Sequence, residues 1–469
     1  MLRSVSATIA ERATSGKAAR SEVRRGSHGD WAPAPDRPDP IALLEEQAAT
    51  RDQSLVPIRH GRMAASAFAF FRGAAYVMAA DLAETPSSGI TVQLCGDAHL
   101  SNFGGFAAPD RRLVFDLNDF DETLPGPWEW DVKRLAASLA VAGRESGFDE
   151  GERRRIVTGT VGFYREAMRT LAGMRNLDVW YSRVDFESVY AEVRSRLDPS
   201  ALKQLRHNRD KALRKDSLRA LSKLTEVVDG ERRLISDPPL IVPISQVAED
   251  HGLGDRATVD ERIRELLRGY RSTLNGELRR LLDGYRYVDV AFKVVGVGSV
   301  GTRAWIVLLL GRDGDDPLFL QVKEAQRSVL EPFAQRSAFK NQGQRVVEGQ
   351  RLMQATGDIM LGWIRTIGLD DQERDFYIRQ LWDWKASAEV EAMDATALEL
   401  YGRLCGGTLA RGHARSGDRV AIASYLGRGD RFDHAIADFS ERYADQNERD
   451  HQALLDAVAA GRVKAQTGI

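Results

Sequence analysis

The chain has 469 residues, 43% of them hydrophobic and 29% charged, with a formal net charge of -2. That length gives room for two or three domains or one two-lobed protein, and the composition is that of an ordinary soluble globular chain. The near-neutral charge excludes a general pull toward nucleic acid or anionic membrane. No apolar run approaches the ~20 residues of a membrane helix, and two cysteines, Cys95 and Cys405, make no disulfide framework, which points to a reducing cytoplasm.

Residues 1–36 are polar, end in a proline-rich stretch and carry no continuous apolar core. They read as a disordered tail rather than a secretory signal. Asp39 precedes Pro40 and is placed to cap a helix over 40–50. Residues 64–83, rich in Ala, Phe and Met, predict a buried helix. Gly89 marks a break before an apolar strand at 90–95, and a second strand follows at 112–115. Helical periodicity covers 130–142 and 152–171, and a strongly charged helical region spans 186–225. That charged region reads as a solvated face or a docking surface for an acidic partner. A further helix is expected over 258–284, with Asp260 as its cap.

The texture changes at Tyr287. Residues 288–297, 302–310 and 318–322 are β-branched and apolar and predict three strands, the last two separated by Asp313-Gly-Asp-Asp-Pro317. A long helix over 332–355 follows, then strands at 359–364 and 376–382. Helices at 395–414 and 431–460 close the chain.

The early strands deliver an unusual set of polar side chains. Gly96-Asp-Ala-His-Leu-Ser-Asn102 supplies Asp97, His99 and Asn102, and the segment after 112–115 supplies Asp116, Asn118, Asp119 and Asp121. A hairpin that gathers so many carboxylates is costly unless a cation neutralises them. Mg²⁺ with a polyphosphate suits that demand, because Mg²⁺ takes one or two carboxylates plus phosphate oxygens.

The late glycines are Gly296-Val-Gly-Ser-Val-Gly301. They join two strands rather than opening a helix, so they do not fit a dinucleotide fold. A glycine-rich strand–turn–strand followed by a lysine on the next strand is the kinase arrangement. Here Leu318-Phe-Leu-Gln-Val-Lys-Glu324 supplies Lys323. A buried ammonium at that place would be satisfied by phosphates and a helix glutamate. Glu348 is the first candidate and Glu331 the second. Gly296, Gly298, Ser299 and Gly301 would let backbone amides approach the phosphates. The strand at 376–382 and the following Asp383-Trp-Lys385 would offer backbone groups to adenine.

Asp97 stands five residues before Asn102, the spacing of a kinase catalytic loop, in which the aspartate orients the attacking hydroxyl and the asparagine holds a metal. The segment resembles the loop of aminoglycoside and choline kinase-like enzymes, with Cys95 where those enzymes usually carry a histidine. The resemblance implies that Asn102 and Asp116 hold Mg²⁺ and that Asp131, opening the next helix, is structural. His99 reads as a loop hydrogen-bonding residue, and Asp119 and Asp121 as supporting metal ligands or loop caps.

The order along the chain is reversed, since the catalytic-loop segment precedes the glycine and lysine segment. The expected fold class is therefore α+β, a protein-kinase-like two-lobed fold in circularly permuted order. The expected divisions are a tail at 1–36, a large mainly helical lobe at 37–286, a small β-rich lobe at 287–385, and helices returning to the large lobe at 386–469. Conventional order would need a catalytic loop at Gly412-His-Ala-Arg-Ser-Gly-Asp418, which has no asparagine five residues on.

The whole chain, over roughly 36–460, also resembles the bacterial domain of unknown function 2252 family. The likeness is carried by Asp36-Arg-Pro-Asp-Pro-Ile-Ala-Leu-Leu-Glu-Glu-Gln47, Pro57-Ile-Arg-His-Gly-Arg-Met63, Phe71-Arg-Gly-Ala-Ala75, the Gly96–Asn102 loop with Phe103 and Gly104, and Leu117-Asn-Asp-Phe-Asp-Glu122. Arg59, Arg62 and Arg72 lie in these segments, as phosphate or substrate contacts or as helix-surface ion pairs. The expected activity is ATP- and Mg²⁺-dependent phosphoryl transfer to an unidentified small-molecule hydroxyl. The alternatives are a nucleotide-binding pseudokinase, a protein nucleotidyltransferase on the same fold, and a carboxylate-rich metal-dependent hydrolase. Neither nucleic acid nor membrane is an expected partner, and the oligomeric state is not encoded legibly.

Overall fold

Every residue of the strand Pro317–Glu324 is buried, as its apolar run requires of a strand covered on both faces. It lies inside a six-stranded antiparallel sheet. The spatial order is Gly362–Ile367, Glu373–Gln380, Pro317–Glu324, Ala304–Leu310, Arg286–Lys293 and Ile241–Pro243. One face packs on Tyr270, Leu274, Met360 and neighbouring apolar groups. The other packs on Ala220, Leu221, Leu224 and Leu234. The structure is a computed structural model that describes residues 7–195, 199–251, 256–294, 300–368, 372–381 and 383–468.

The main core is helical. Trp128–Glu145, Glu150–Gly173, Ala395–Ser416 and Arg431–Ala459 enclose Trp128, Leu139, Tyr164, Leu409 and Phe432. Against this core lie two small antiparallel sheets. Thr91–Leu94 pairs with Leu124–Pro127. Phe103–Ala107 and Leu113–Leu117 form a hairpin, extended by Val184–Asp185 and Ala386–Ser387. The architecture is thus mixed α+β with several antiparallel sheets.

Several expectations need correction. The strand before Asp97 does not pair with the strand carrying Asp116. Phe103–Ala107, missed because its Phe-Gly-Gly-Phe-Ala sequence reads as loop, intervenes and is the true hairpin partner. Residues 7–36 are not a disordered tail. Ile9–Glu22 is a helix whose Thr8 and Glu11 form a reciprocal capping box, and Arg12 binds Asp418 at 2.8 Å. The expected helix over 332–355 is the shorter Gln342–Met353, capped by Asn341. The helix over 258–284 is two, Arg256–Ser272 and Gly276–Leu282, and Asp260 sits inside the first, accepting the Tyr287 hydroxyl at 2.9 Å. The buried helix over 64–83 is likewise two, breaking at Ala74. Residues Ser217–Leu224 and Arg256–Leu282, assigned to the large lobe from sequence, pack on the six-stranded sheet. Asp39 does cap Pro40–Ala48, accepting from Ile41 N–H at 3.1 Å. Gly412–Asp418 ends one helix and caps the next. No described helix is long and apolar enough to cross a membrane.

Candidate active site

The early acidic loop and the late lysine meet. Lys323 and Tyr377 are cross-strand neighbours, so both side chains leave the same face of the sheet. That face looks onto residues 118–122. Lys323 Nζ donates to Asp121 Oδ2 and lies 3.8 Å from Asp119 Oδ2. The Tyr377 hydroxyl donates to Asp121 Oδ1 at 2.9 Å. Arg345, from the helix after the lysine strand, clamps the same loop. It donates to the carbonyls of Thr123 at 2.7 Å and of Asp121 and Gln326 at 2.8 Å.

This contact sets the protonation of the group. Burial opposes charge on Lys323, yet Asp119 and Asp121 hold its ammonium protonated far above the usual range. Burial would also raise Asp121, but Lys323 and the Tyr377 hydroxyl keep it below the usual carboxylate value. Asp119 is different. Burial and the adjacent Asp121 charge push it up against the pull of Lys323 and Arg379. Its carboxylate is therefore under-neutralised, a state that a further cation would relieve.

Asp97 lies next to this junction. Gly96 turns the chain into it with φ +87, and a Cβ there would sit 2.3 Å from the Glu122 carbonyl, so the close approach requires glycine. Asp131 at the start of Trp128–Glu145 accepts the N–H groups of Cys95 at 2.8 Å and Gly96 at 3.1 Å, and contacts His413 Nε2 at 3.2 Å. Asp131 thereby fixes the loop rather than facing a ligand. Arg134, one turn further on, donates to Asp97 Oδ1 at 2.8 Å. Burial raises the Asp97 pKa against this pairing. Asn102 Nδ2 donates to the Asp97 carbonyl at 2.7 Å, and the Asn102 carbonyl accepts Asn118 N–H at 3.0 Å, which sets Asn102 beside the acidic loop. His99 accepts Ser101 N–H on Nδ1 at 3.1 Å and approaches Asp97 within 3.7 Å. Burial, Arg134 and Arg72 hold it neutral.

Two cavities flank the junction, and Asp119 lines both. The first, about 630 Å³, is walled by Lys323, Gln321, Arg379, Leu381, Lys385 and the Gly105–Ala107 strand. The second, about 680 Å³, is walled by Asp97, His99, Asn102 and Asp121. Lys385 has no hydrogen-bond or ion-pair partner among the described residues. Although its side chain is exposed to solvent, the protein mass around the cavity and nearby Arg379 push it down to about 8.

Three sequence assignments change. Asp116, expected to hold a metal at the cleft, does not face it. It is 2% exposed, bonded to Arg411 and to Leu117 N–H at 2.9 Å, and lines neither cavity. Glu348 does not hold Lys323. It lies 3.3 Å from Arg351 one turn away, and Glu331 accepts from Ser337 N–H; the carboxylate paired with Lys323 is that of Asp121. The segment after the last long strand has fewer free backbone groups than expected. The Asp383 carbonyl accepts Ala107 N–H at 3.0 Å, and Trp384 N–H donates to Lys215 at 2.9 Å.

Gly296, Gly298 and Ser299 lie outside the described residues. Gly301 has φ +91, and its carbonyl accepts Asp52 N–H at 2.8 Å. Arg59 is fully buried and donates to Gln47 and the Gly73 carbonyl, both at 2.7 Å, which makes it structural. Arg72 lines the second cavity. Among the described residues, no group of three or more His, Cys, Asp or Glu is arranged to hold a metal ion.

Sequence reasoning missed Arg134, Tyr377, Arg345 and Lys385. Arg134 was within reach, since it follows Asp131 by three residues and shares its helix face. The others depend on cross-strand and loop contacts with no local signature.

The family model for an uncharacterized protein conserved in bacteria, domain of unknown function 2252, matches residues 51–457. No curated protein and no solved structure matches the chain. The chain belongs to that bacterial family.

Proposed function

We propose that this member of the domain of unknown function 2252 family is an ATP- and Mg²⁺-dependent phosphotransferase acting on a hydroxyl acceptor, with a kinase-like two-lobed fold in permuted order. The observation that carries the reading is the junction of Lys323 with Asp121 and Asp119, about two hundred positions earlier in the chain, between two cavities. The element order lends support. Two antiparallel strands flank the glycine segment, a third carries the lysine, a helix follows, and two more strands complete the sheet. Kinases grip ATP phosphates with that succession of parts.

In this reading the nucleotide takes the first cavity, where Lys323, Arg379 and Lys385 offer positive charge to phosphates. The acceptor takes the second. Asp119 and Asn102 fit Mg²⁺, which needs few protein ligands when phosphate oxygens supply the rest. The raised pKa of Asp119 suits it to a divalent cation. When bound, Mg²⁺ would neutralise charge on the transferred group. Asp97 receives the acceptor's hydroxyl proton, the acceptor oxygen bonds to the γ-phosphorus, and the bond to the β,γ-bridging oxygen breaks to release ADP. Arg134 holds the Asp97 carboxylate in place for that task.

The test is ATP–Mg²⁺ turnover against a panel of small hydroxyl compounds, with mass spectrometry of the products. Added phosphate with release of ADP is expected, and Asp97→Asn should lower the rate roughly 10²–10⁴-fold with nucleotide binding retained. Absence of nucleotide binding would refute the reading. Transfer of AMP would replace it with nucleotidyl transfer.

A further inference from the structure

The cavity beside Asp97 holds more carboxylates than cations, yet three of its arginines make no ion pair with any described residue. Asp97 is bonded to Arg134 and Asp121 to Lys323. Glu324 is shared by Arg303 and Arg374, and Asp375 is bound by Arg365. Glu46 accepts the Tyr76 hydroxyl at 2.9 Å. Glu122 accepts Val329 N–H at 2.7 Å, and burial lifts it to about 7, so much of it is neutral near pH 7.

Those arginines are Arg72, Arg51 and Arg327, on the same wall; Glu391 and Asp97 attract Arg72, and Glu122, Asp121 and Glu324 attract Arg51, without forming an ion pair among the described residues. Arg72 makes no hydrogen bond or ion pair with any described residue, and its Nε is buried without an acceptor. Arg51 is 7% exposed. It gives one Nη to the Val300 carbonyl at 2.6 Å, and its Nε has no acceptor among the described residues. Arg327 is exposed at the rim with no partner among the described residues. Buried guanidinium donors left unmatched are costly, because a charged group loses water and gains nothing in return. An oxyanion would satisfy them, and a planar guanidinium suits phosphoryl or carboxylate oxygens in pairs.

We propose that the acceptor of this enzyme carries an anionic group, phosphoryl or carboxylate, seated on Arg72 and Arg51 with Arg327 at the rim, so that a hydroxyl of the same molecule reaches Asp97. The substrate class is thus an anionic hydroxyl compound rather than a neutral sugar or a cationic aminosugar. The inference rests on the phosphotransferase reading for the word acceptor, while the anion site stands on the arginines alone.

Calorimetric titration of the full chain with inorganic phosphate and, separately, with succinate tests it. Each titration is run with and without saturating adenosine 5'-(β,γ-imido)triphosphate and Mg²⁺, which fills the nucleotide cavity. Phosphate or succinate should bind in both conditions, with the tighter of the two marking the group. Arg72→Gln should weaken that binding at least tenfold and Arg327→Gln about threefold. Arg72→Lys should recover part of it, and all three variants should keep the wild-type affinity for the nucleotide analogue. Arg72 makes no hydrogen bond or ion pair with the described residues, so its loss breaks no such bond although it weakens the positive field on Asp97 and His99, and Arg327, exposed at the rim, gives a second variant away from the buried charges. No binding of either anion, or binding abolished by the analogue and unchanged in Arg72→Gln, would overturn the proposal. Arginine-dependent anion binding with no binding of the analogue would uphold the anion site and refute the phosphotransferase reading.

Discussion

Replacing Lys323 by methionine tests whether the two distant segments form one electrostatic unit. Lys323 is almost fully buried, with 3% side-chain exposure, while Asp121 retains 24%. Removing the ammonium takes its buried cation from Asp121, which keeps the Tyr377 hydroxyl, and worsens the already under-neutralised Asp119. Breaking a buried pair by deleting one partner costs about 3–5 kcal/mol. The partial openness of Asp121 places this case at the low end, about 3 kcal/mol. Asp121→Asn alone should cost less, about 1–2 kcal/mol, because the Tyr377 hydroxyl still finds an acceptor and Asp119 still faces the lysine. The double variant Lys323→Met/Asp121→Asn should then be more stable than the sum of the singles implies, by about 1–2 kcal/mol. Urea unfolding of all four proteins, followed by tryptophan fluorescence at one pH, gives the coupling. Additive losses would mean that Lys323 and Asp121 do not interact, and the junction on which the site is built would fall.

Asp119 and Asp116 separate by role. Asp119→Asn should remove the Mg²⁺-dependent part of nucleotide-analogue affinity with little change in stability. Asp116→Ala, which orphans Arg411, should cost about 3–5 kcal/mol and leave the analogue affinity of the folded protein intact. Glu122 gives a pH signature in stability. Its folded pKa of about 7 lies above the ordinary carboxylate value, so the stability it contributes is complete at acid pH and is lost as pH rises through 7. The loss is at most about 3 kcal/mol, less what cavity water screens. Glu122→Gln should abolish that slope in urea unfolding between pH 5 and 8. Lys385 gives a pH signature in binding. Phosphates favour its protonated form, so analogue affinity should fall roughly tenfold as pH rises through about 8, and Lys385→Met should flatten the profile.

The legible parts of the fold were those with local causes. Apolar periodicity located the long helices Trp128–Glu145, Glu150–Gly173, Ala395–Ser416 and Arg431–Ala459 to within a few residues, and β-branched runs located the central strands of the sheet. Phe103–Ala107 escaped because glycines sit where the strand approaches its neighbour, with Gly104 close to the Ala386 carbonyl. The helix Ile9–Glu22 escaped because it has almost no apolar face and is held by its capping box and by docking on Arg419–Leu426. Within the candidate site, the meeting of the Asp97 segment with Lys323 was expected from spacing. That Asp119 rather than Asp116 faces the cavities was not, because Arg411, some three hundred residues later, pairs with Asp116 and leaves Asp119 lining both. The partner of Lys323 was misread for the same reason. A helix glutamate is a sequence pattern, whereas Asp121 is delivered by the packing of two segments.

The most direct measurement is a crystal structure of the full chain with adenosine 5'-(β,γ-imido)triphosphate and Mn²⁺, read by anomalous scattering. A manganese peak in contact with Asp119, and triphosphate oxygens within salt-bridge distance of Lys323, are the predicted result. Nucleotide bound away from Lys323, or manganese held by Asp116 after displacement of Arg411, would contradict the account.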